Sequence, residues 1–194
     1  MNSNKYKNIT DTITGFCRVS EPEMAEIVKF FTVAHLKKNE YFLKEEQVCK
    51  KIGFLNTGLI RHYYTTNHNE VTRWMSLPND FTTSLRSFIL QIPSIENLQA
   101  VTDCELIVLD RKAFDYLIKK NEAFKTFYLK ALEYNYITIE DRVFSLIEKS
   151  AEERFEWMVK TQIRFIQQVP VMYTASMLGI TPRHLSRLRK KHSI

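Results

Sequence analysis

The chain has 194 residues, of which 44% are hydrophobic and 26% charged. This is ordinary globular composition and excludes a mainly disordered chain. The formal net charge of +6 is unevenly distributed, because seven basic residues and no acidic one follow Glu156, whereas residues 1–156 hold 21 basic and 22 acidic residues.

A basic module at one end of a chain is typical of nucleic-acid binding, because contacts with phosphates supply much of the affinity. A solubilising tail is the alternative. The three cysteines form no CxxC pair, which argues against a clustered metal site, and their odd number argues against a secreted disulfide framework. No stretch approaches 18 uninterrupted apolar residues. We therefore expect a cytoplasmic protein without metal, cofactor or membrane contact.

The first part of the chain predicts a helical region followed by short strands. Residues 9–30 have helical spacing, and Pro22 suits a first helical turn after Ser20 and Glu21. The apolar period then changes to two, which indicates a small barrel or sandwich. The predicted strands are 31–36, 40–44, 52–58, 59–65, 71–77, 98–102 and 104–110.

Helical patterns return after Asp110. Residues 111–120 predict a short helix, and 121–148 predict a long one without glycine or proline. The long helix carries an apolar stripe that favours a homodimer seam, with burial against the chain's own barrel as the alternative. The stripe consists of Phe124, Tyr128, Leu132, Tyr136, Ile139, Val143 and Leu146.

Ser150 and Glu153 have the spacing of a capping box, so a new helix is predicted to begin after Ser150. We predict a sensor domain over 1–120, a dimerisation helix over 121–149 and a third module over 150–194. The third module is short, and we expect it to lean on the long helix.

The segment 169–194 contains a helix-turn-helix pattern. Pro170 suits a helix start, Gly179 permits a left-handed exit, and Thr181 followed by Pro182 predicts the N-cap and first turn of a second helix. Two helices joined by a short turn with glycine are the arrangement used for reading DNA.

In the second helix, Ile180, Leu185 and Leu188 are expected to face inward. Arg187 is then central on the outer face, where a guanidinium can pair with guanine. The predicted DNA-binding residues are Thr181, Arg183, His184, Ser186, Arg187, Arg189, Lys190 and Lys191. A solvated basic helix is the alternative.

Several segments together resemble the CRP/FNR superfamily of transcription factors. They are NTGLIRHYY (56–64), PNDF (78–81), DCELIVLD (103–110), SAEERF (150–155) and ASMLGITPRHLSRLRKK (175–191). The resemblance spans nearly the whole chain and implies an α+β fold: an N-terminal double-stranded β-helix barrel of jelly-roll type, a long dimerisation helix and a C-terminal helix-turn-helix domain. It also implies that Thr181, Arg183 and Arg187 face DNA.

The sequence departs from the family members that bind cyclic AMP. Thr83 and Ser84 stand where those members have Gly-Glu, and Ser94-Ile95 or neighbouring residues replace their arginine pair. Arg86 is out of register with the missing arginine. Thr83, Ser84 and Arg86 remain the predicted ligand-binding residues, for an unidentified small effector.

We expect a homodimeric regulator that binds an inverted repeat in double-stranded DNA and has RNA polymerase as a further partner. The alternative is a cyclic-nucleotide or small-ligand binding module whose basic C-terminus contacts protein or RNA. No GxSxG, HExxH, P-loop or Rossmann glycine pattern occurs, so we predict neither catalytic residues nor an enzyme.

Overall fold

The structure is a computed structural model that describes residues 5–67 and 69–192. It begins with two helices, α1 (Lys7–Phe16) and α2 (Glu21–Val28). The region predicted over 9–30 is divided because the backbone is extended at Cys17 and Ser20. Ser20 and Glu23 then form a capping box, so α2 begins beside Pro22.

Two four-stranded antiparallel sheets follow and form the barrel. Their orders are β1-β8-β3-β6 and β2-β7-β4-β5. The strands are β1 (Thr32–Leu36), β2 (Tyr41–Leu43), β3 (Lys51–Thr57), β4 (Ile60–Thr65), β5 (Glu70–Ser76), β6 (Phe81–Thr82), β7 (Asn97–Ala100) and β8 (Cys104–Asp110). Only the two-residue β6 lacks a predicted counterpart, because it is too short to show a period.

The barrel core is formed by the inward side chains of both sheets. Phe54, Leu55, Ile60, Leu98 and Leu106 are each at most 1% exposed. Phe54 and Leu55 are consecutive in β3 and point to opposite faces of their sheet, so both faces of this strand are covered. The N-terminal helices cover part of this core through buried isoleucines.

Helix α3 (Leu85–Leu90) lies between β6 and β7 of the barrel, whereas α4 (Arg111–Lys120) and α5 (Glu122–Glu148) connect the barrel to the C-terminal module. Asp110 caps α4 by accepting from the Ala113 amide, and Asn121 caps α5 by accepting from the Phe124 amide. The 27 residues of α5 span about 40 Å.

The C-terminal module consists of α6 (Ala151–Thr161), α7 (Ile163–Gln168), α8 (Val171–Leu178) and α9 (Pro182–Lys191). The Ser150–Glu153 capping box is present at the start of α6. The module's core is continuous with Met75 and Leu77 of the barrel. Support therefore comes from β5 and the residue after it, and the long helix, from which support was predicted, adds a contact between Arg142 and the Met177 carbonyl.

The α+β fold class, with its barrel and long helix, is confirmed. Among the residues that the structure describes, no helix is both long and apolar enough to span a bilayer.

Candidate nucleic-acid interface

Helices α8 and α9 are joined by a tight turn over residues 179–181. Gly179 has φ of 69°, a left-handed conformation that a residue with a Cβ atom adopts at a cost. The Ile180 amide donates to the Ala175 carbonyl at 3.0 Å, which closes the end of α8. The Thr181 hydroxyl accepts from the His184 amide at 3.2 Å, so α9 starts immediately.

One face of α9 is fixed in the module's core and the opposite face is open. Leu185 and Leu188 are 1% and 5% exposed. Of the predicted DNA-binding residues, His184 and Arg189 are half-buried, whereas the others are exposed: Thr181, Arg183, Ser186, Arg187, Lys190 and Lys191. The outer face is therefore a row of cations on a rigid helix.

Lys191 differs from the other cations because it is held by Glu152 of α6. This contact lowers the pKa of the Glu152 carboxyl and raises that of Lys191. Within residues 5–67 and 69–192, Arg183, Arg187 and Lys190 make no ion pair. Their charges are thus available to an anionic partner.

The module is docked on β5, an edge strand whose outer side would otherwise present unpaired amides. The Thr72 amide donates to the Ser176 hydroxyl of α8 at 2.9 Å. From α5, the Arg142 guanidinium donates to the Arg73 carbonyl at 2.5 Å and to the Met177 carbonyl at 3.4 Å. Burial lowers the pKa of Arg142, which nevertheless stays far above neutrality as expected for arginine.

Two further arginines strengthen this contact. Arg164 lies 3.6 Å from the Asp80 carboxylate and also donates to the Pro78 carbonyl. Arg61 lies between the rings of Tyr63 and Tyr173, at 4.2 and 4.6 Å from their centroids. Sequence reasoning missed these residues, because their partners are remote in the chain and no local pattern signals the pairing.

A small cavity lies in the barrel beside α3. Its volume is about 60 Å³, well below the 300–1,000 Å³ of pockets that enclose drug-sized ligands. It is lined by Tyr64, Ser84, Arg86, Ser87, Pro93, Ser94, Ile95 and Glu96. Ser84 and Arg86 thus line this cavity, whereas Thr83 is not among the lining residues and donates to the Lys51 carbonyl at 3.2 Å; ligand binding by these residues stays a prediction.

Glu96 connects the cavity to a buried polar cluster that the sequence did not predict. Its carboxylate accepts from Arg73 at 2.8 and 3.0 Å. His62 lies behind this pair, with Nε2 at 2.9 Å from the Ser76 hydroxyl and 3.1 Å from that of Thr82. Burial, helped by the charge of Arg73, places the pKa of His62 well below its usual value. The His62 imidazole is therefore neutral, and its hydrogen bonds to Ser76 and Thr82 give it a structural role.

Part of the dimer stripe predicted on α5 is wrong. Phe124 is 3% exposed in the barrel core, and the Tyr128 ring packs on Phe114 with centroids 4.9 Å apart. Both side chains therefore contact their own barrel and are not on the open face. Leu132, Tyr136, Ile139, Val143 and Leu146 lie beyond the barrel, where all but the half-buried Leu132 are exposed.

Leu129, which lies outside the predicted stripe, is 52% exposed and begins a heptad pattern. Residues 129, 136 and 143 occupy one position of the heptad, and 132, 139 and 146 occupy the position three residues later. This 3–4 spacing over nearly three heptads is the pattern of a two-stranded coiled coil.

Residues 33–121 match the family described as the cyclic nucleotide-binding domain. No curated protein sequence matches the chain significantly.

Among solved structures, a mutant of CooA from Carboxydothermus hydrogenoformans is similar, with a TM-score of 0.66 and 18% identity, over 86% of this chain and 78% of that one. FixK2 from Bradyrhizobium japonicum has a TM-score of 0.68 and 15% identity, over 84% and 85% of the two chains. A protein from Eubacterium rectale, assigned to the CRP/FNR family of transcriptional regulators, has a TM-score of 0.64 and 14% identity, over 90% and 84%. At these identities the likeness shows a shared fold.

Proposed function

We propose that this chain, a cyclic nucleotide-binding-type domain and C-terminal helical module with the fold of CRP/FNR regulators, is a homodimeric transcription regulator that binds an inverted repeat in double-stranded DNA. The observation that carries the proposal is the row of exposed, unpaired cations on α9, opposite buried Leu185 and Leu188. Such a regulator would act in the cytoplasm, with RNA polymerase as a further partner.

Arg187 and Arg183 are the proposed base-reading and base-flanking residues. They are four residues apart and therefore share one face of α9. A guanidinium on this face can donate two hydrogen bonds to guanine in the major groove. Lys190 and Arg189 near the helix end, together with the Thr181 and Ser186 hydroxyls, would contact the phosphate backbone and fix the helix in register.

Dimerisation through α5 would place two such helices on one face of the duplex. The heptad residues of α5 are exposed in the single chain, and pairing with a second copy would bury them. A twofold dimer that reads successive major grooves needs its recognition helices about 34 Å apart and selects an inverted repeat.

The effector of the barrel is proposed to be a small molecule other than cyclic AMP. A cyclic phosphate needs a cation in a defined position; Arg86 lines the cavity, but it is exposed and out of register with the arginine of the members that bind cyclic AMP, and Glu96 contributes a carboxylate that would repel the phosphate. Each missing charge-assisted hydrogen bond costs about 1.5–3 kcal/mol. We expect calorimetric titration to detect no binding of cyclic AMP at micromolar concentration; a micromolar dissociation constant would contradict this.

Selection from a random pool of duplex DNA at physiological salt tests the proposed function. The expected result is an enriched inverted repeat, bound by the dimer. Enrichment of no motif, with weak binding to every sequence, would instead favour a small-ligand module whose basic helix contacts protein or RNA. The buried Leu185 side chain holds α9 in the module, so a substitution on the exposed face of this helix tests DNA recognition without disturbing the fold.

A further inference from the structure

We propose that Glu152, Glu156 and His192 form a binding site for a divalent transition metal such as Zn²⁺ or Co²⁺. The ligand atoms of these side chains all lie within 4.8 Å of one another. The two glutamates are one helical turn apart on α6, so their carboxylates share a face. His192 follows the last residue of α9, and the site therefore joins the beginning of α6 to the end of the proposed recognition helix.

The distances are close to those of a metal centre. His192 Nε2 lies 3.8 Å from Glu152 Oε1 and 3.7 Å from Glu156 Oε1. Around a tetrahedral ion with bonds of 2.0–2.2 Å, neighbouring ligand atoms are about 3.4 Å apart. The two histidine–carboxylate distances would shorten by a few tenths of an ångström, and the carboxylate–carboxylate distance, which is at most 4.8 Å, by up to about 1.4 Å; half-exposed glutamate side chains can make such movements.

The histidine nitrogen is an independent indication of a ligand. Nε2 of His192 is buried and has no hydrogen-bond partner among residues 5–67 and 69–192. A buried polar atom without a partner is costly and rare in proteins. The ring is held against Phe155, with centroids 5.4 Å apart, so that this nitrogen faces the two carboxylates.

The ligand set determines the class of metal. An imidazole nitrogen with carboxylate oxygens suits zinc, cobalt or nickel, whereas calcium and magnesium prefer oxygen ligands alone. Three protein ligands would leave a position for water. No metal site was predictable from the sequence, because His192 is 36 or more residues from either acid and the three residues match no spacing motif.

Metal binding would change the charge at the end of α9. Glu152 holds Lys191 in the structure, so a metal on Glu152 would release this lysine. It would also neutralise two carboxylates that repel DNA phosphates near the helix end. If the chain binds DNA as proposed, the metal should strengthen binding to any duplex and add about one phosphate contact.

Cobalt titration of the full-length protein tests the site directly. We expect a visible absorption band of a low-coordinate cobalt centre at one equivalent, displaced by Zn²⁺. The band should be lost in His192→Gln and in the surface variant Glu156→Gln, and kept in His35→Gln, which removes an exposed histidine of β1. Absence of the band, or its persistence in His192→Gln, would overturn the proposal.

Fluorescence anisotropy with an unselected DNA duplex, over a salt series, tests the consequence. Zn²⁺ should steepen the slope of log affinity against log salt by about 0.9, the contribution of one phosphate. Lys191→Gln should keep the cobalt band but lose this increment, and an unchanged slope in the loaded wild type would refute the coupling. If the protein binds no DNA with or without metal, the proposed function fails while the cobalt spectrum still decides the site.

Discussion

Arg187 and Lys190 are both exposed on α9, yet their substitutions should have different consequences. Arg187→Ala removes a bidentate contact with one base, so we expect a loss of about 1–3 kcal/mol per half-site and relaxed preference at one base pair. Lys190→Ala should weaken binding to all sequences alike and reduce the salt dependence. Affinities for the selected repeat and a scrambled duplex distinguish the two; an unchanged motif with Arg187→Ala would refute the recognition face.

We expect His62 to make the stability of the protein depend on pH. Its folded-state pKa is depressed by burial and by Arg73, although Glu96 lies 3.9 Å away. A depressed histidine pKa contributes stability above the unfolded pKa of about 6.5 and loses it as pH falls, by up to about 1.4 kcal/mol per pH unit. Urea unfolding between pH 7.5 and 5.5 should show this fall.

The matched variant for this prediction is His62→Gln, which keeps hydrogen-bonding capacity toward Ser76 and Thr82 but does not titrate. Its stability should be less dependent on pH over the same range. Equal pH dependence in the two proteins would show that other groups, such as the carboxylates common to both, cause the acid destabilisation.

Residues that act on near neighbours were predictable, and those with remote partners were not. The αL glycine at 179, the Thr181 cap and the Ser150–Glu153 box follow from local backbone chemistry. Arg142 pairs with a carbonyl 69 residues away, and no sequence period records such a contact. The ion pair between the buried Glu96 and the half-buried Arg73 was missed for the same reason.

At the scale of elements, α5 changes its role along its length. Its first turns pack on the barrel through Phe124 and Phe127, while its later turns expose the heptad residues. The absence of glycine and proline predicted the helix, but apolar spacing alone could not say where contact with the barrel ends. The stripe was therefore correctly assigned to a helix, but Phe124 and Tyr128 were assigned to a partner helix, whereas they contact the chain's own barrel.

A pair of isoleucines on α5 gives a controlled test of dimerisation. Ile139 and Ile137 are 57% and 56% exposed, but they lie about 160° apart around the helix. Ile139→Asp would bury a charge in the proposed seam and should weaken the dimer by about 3 kcal/mol, roughly two orders of magnitude. Ile137→Asp should leave it intact. Sedimentation equilibrium measures both; equal effects, or a monomeric wild type at micromolar concentration, would contradict the seam.

At the scale of the whole molecule, β5 is shared between the cavity and the C-terminal module. The Arg73 side chain binds Glu96 at the cavity, and its carbonyl accepts from Arg142. The amide of the preceding residue, Thr72, donates to the Ser176 hydroxyl of α8. A shift of this strand on ligand binding would therefore act on the position of α8 directly. The order of the modules was predictable from the chain, whereas this docking depends on the twist of the sheet and on long-range pairing.

Arg142 is where this connection can be tested. Arg142→Met keeps much of the side-chain volume beside Trp74 but leaves the carbonyls of Arg73 and Met177 without their donor. A charge-assisted hydrogen bond contributes about 1.5–3 kcal/mol, so we expect a loss of about that size and weaker docking of the module. Hydrogen exchange should then be faster at the Thr72 amide and in α8, while the barrel strands β3 and β8 keep their protection.

The matched control is Lys130→Met, which removes an exposed positive charge from the same helix. Its exchange at Thr72 should equal that of the wild type, because no carbonyl on β5 or α8 depends on it. If Arg142→Met leaves exchange at Thr72 and in α8 unchanged, the guanidinium does not hold the module on the barrel. If exchange rises equally throughout the barrel, the residue contributes to global stability alone. Faster exchange confined to β5 and α8 is the result that the shared strand requires, because Arg73 of this strand contacts Glu96 at the cavity through its side chain and Arg142 of α5 through its carbonyl, and Arg142 in turn contacts α8.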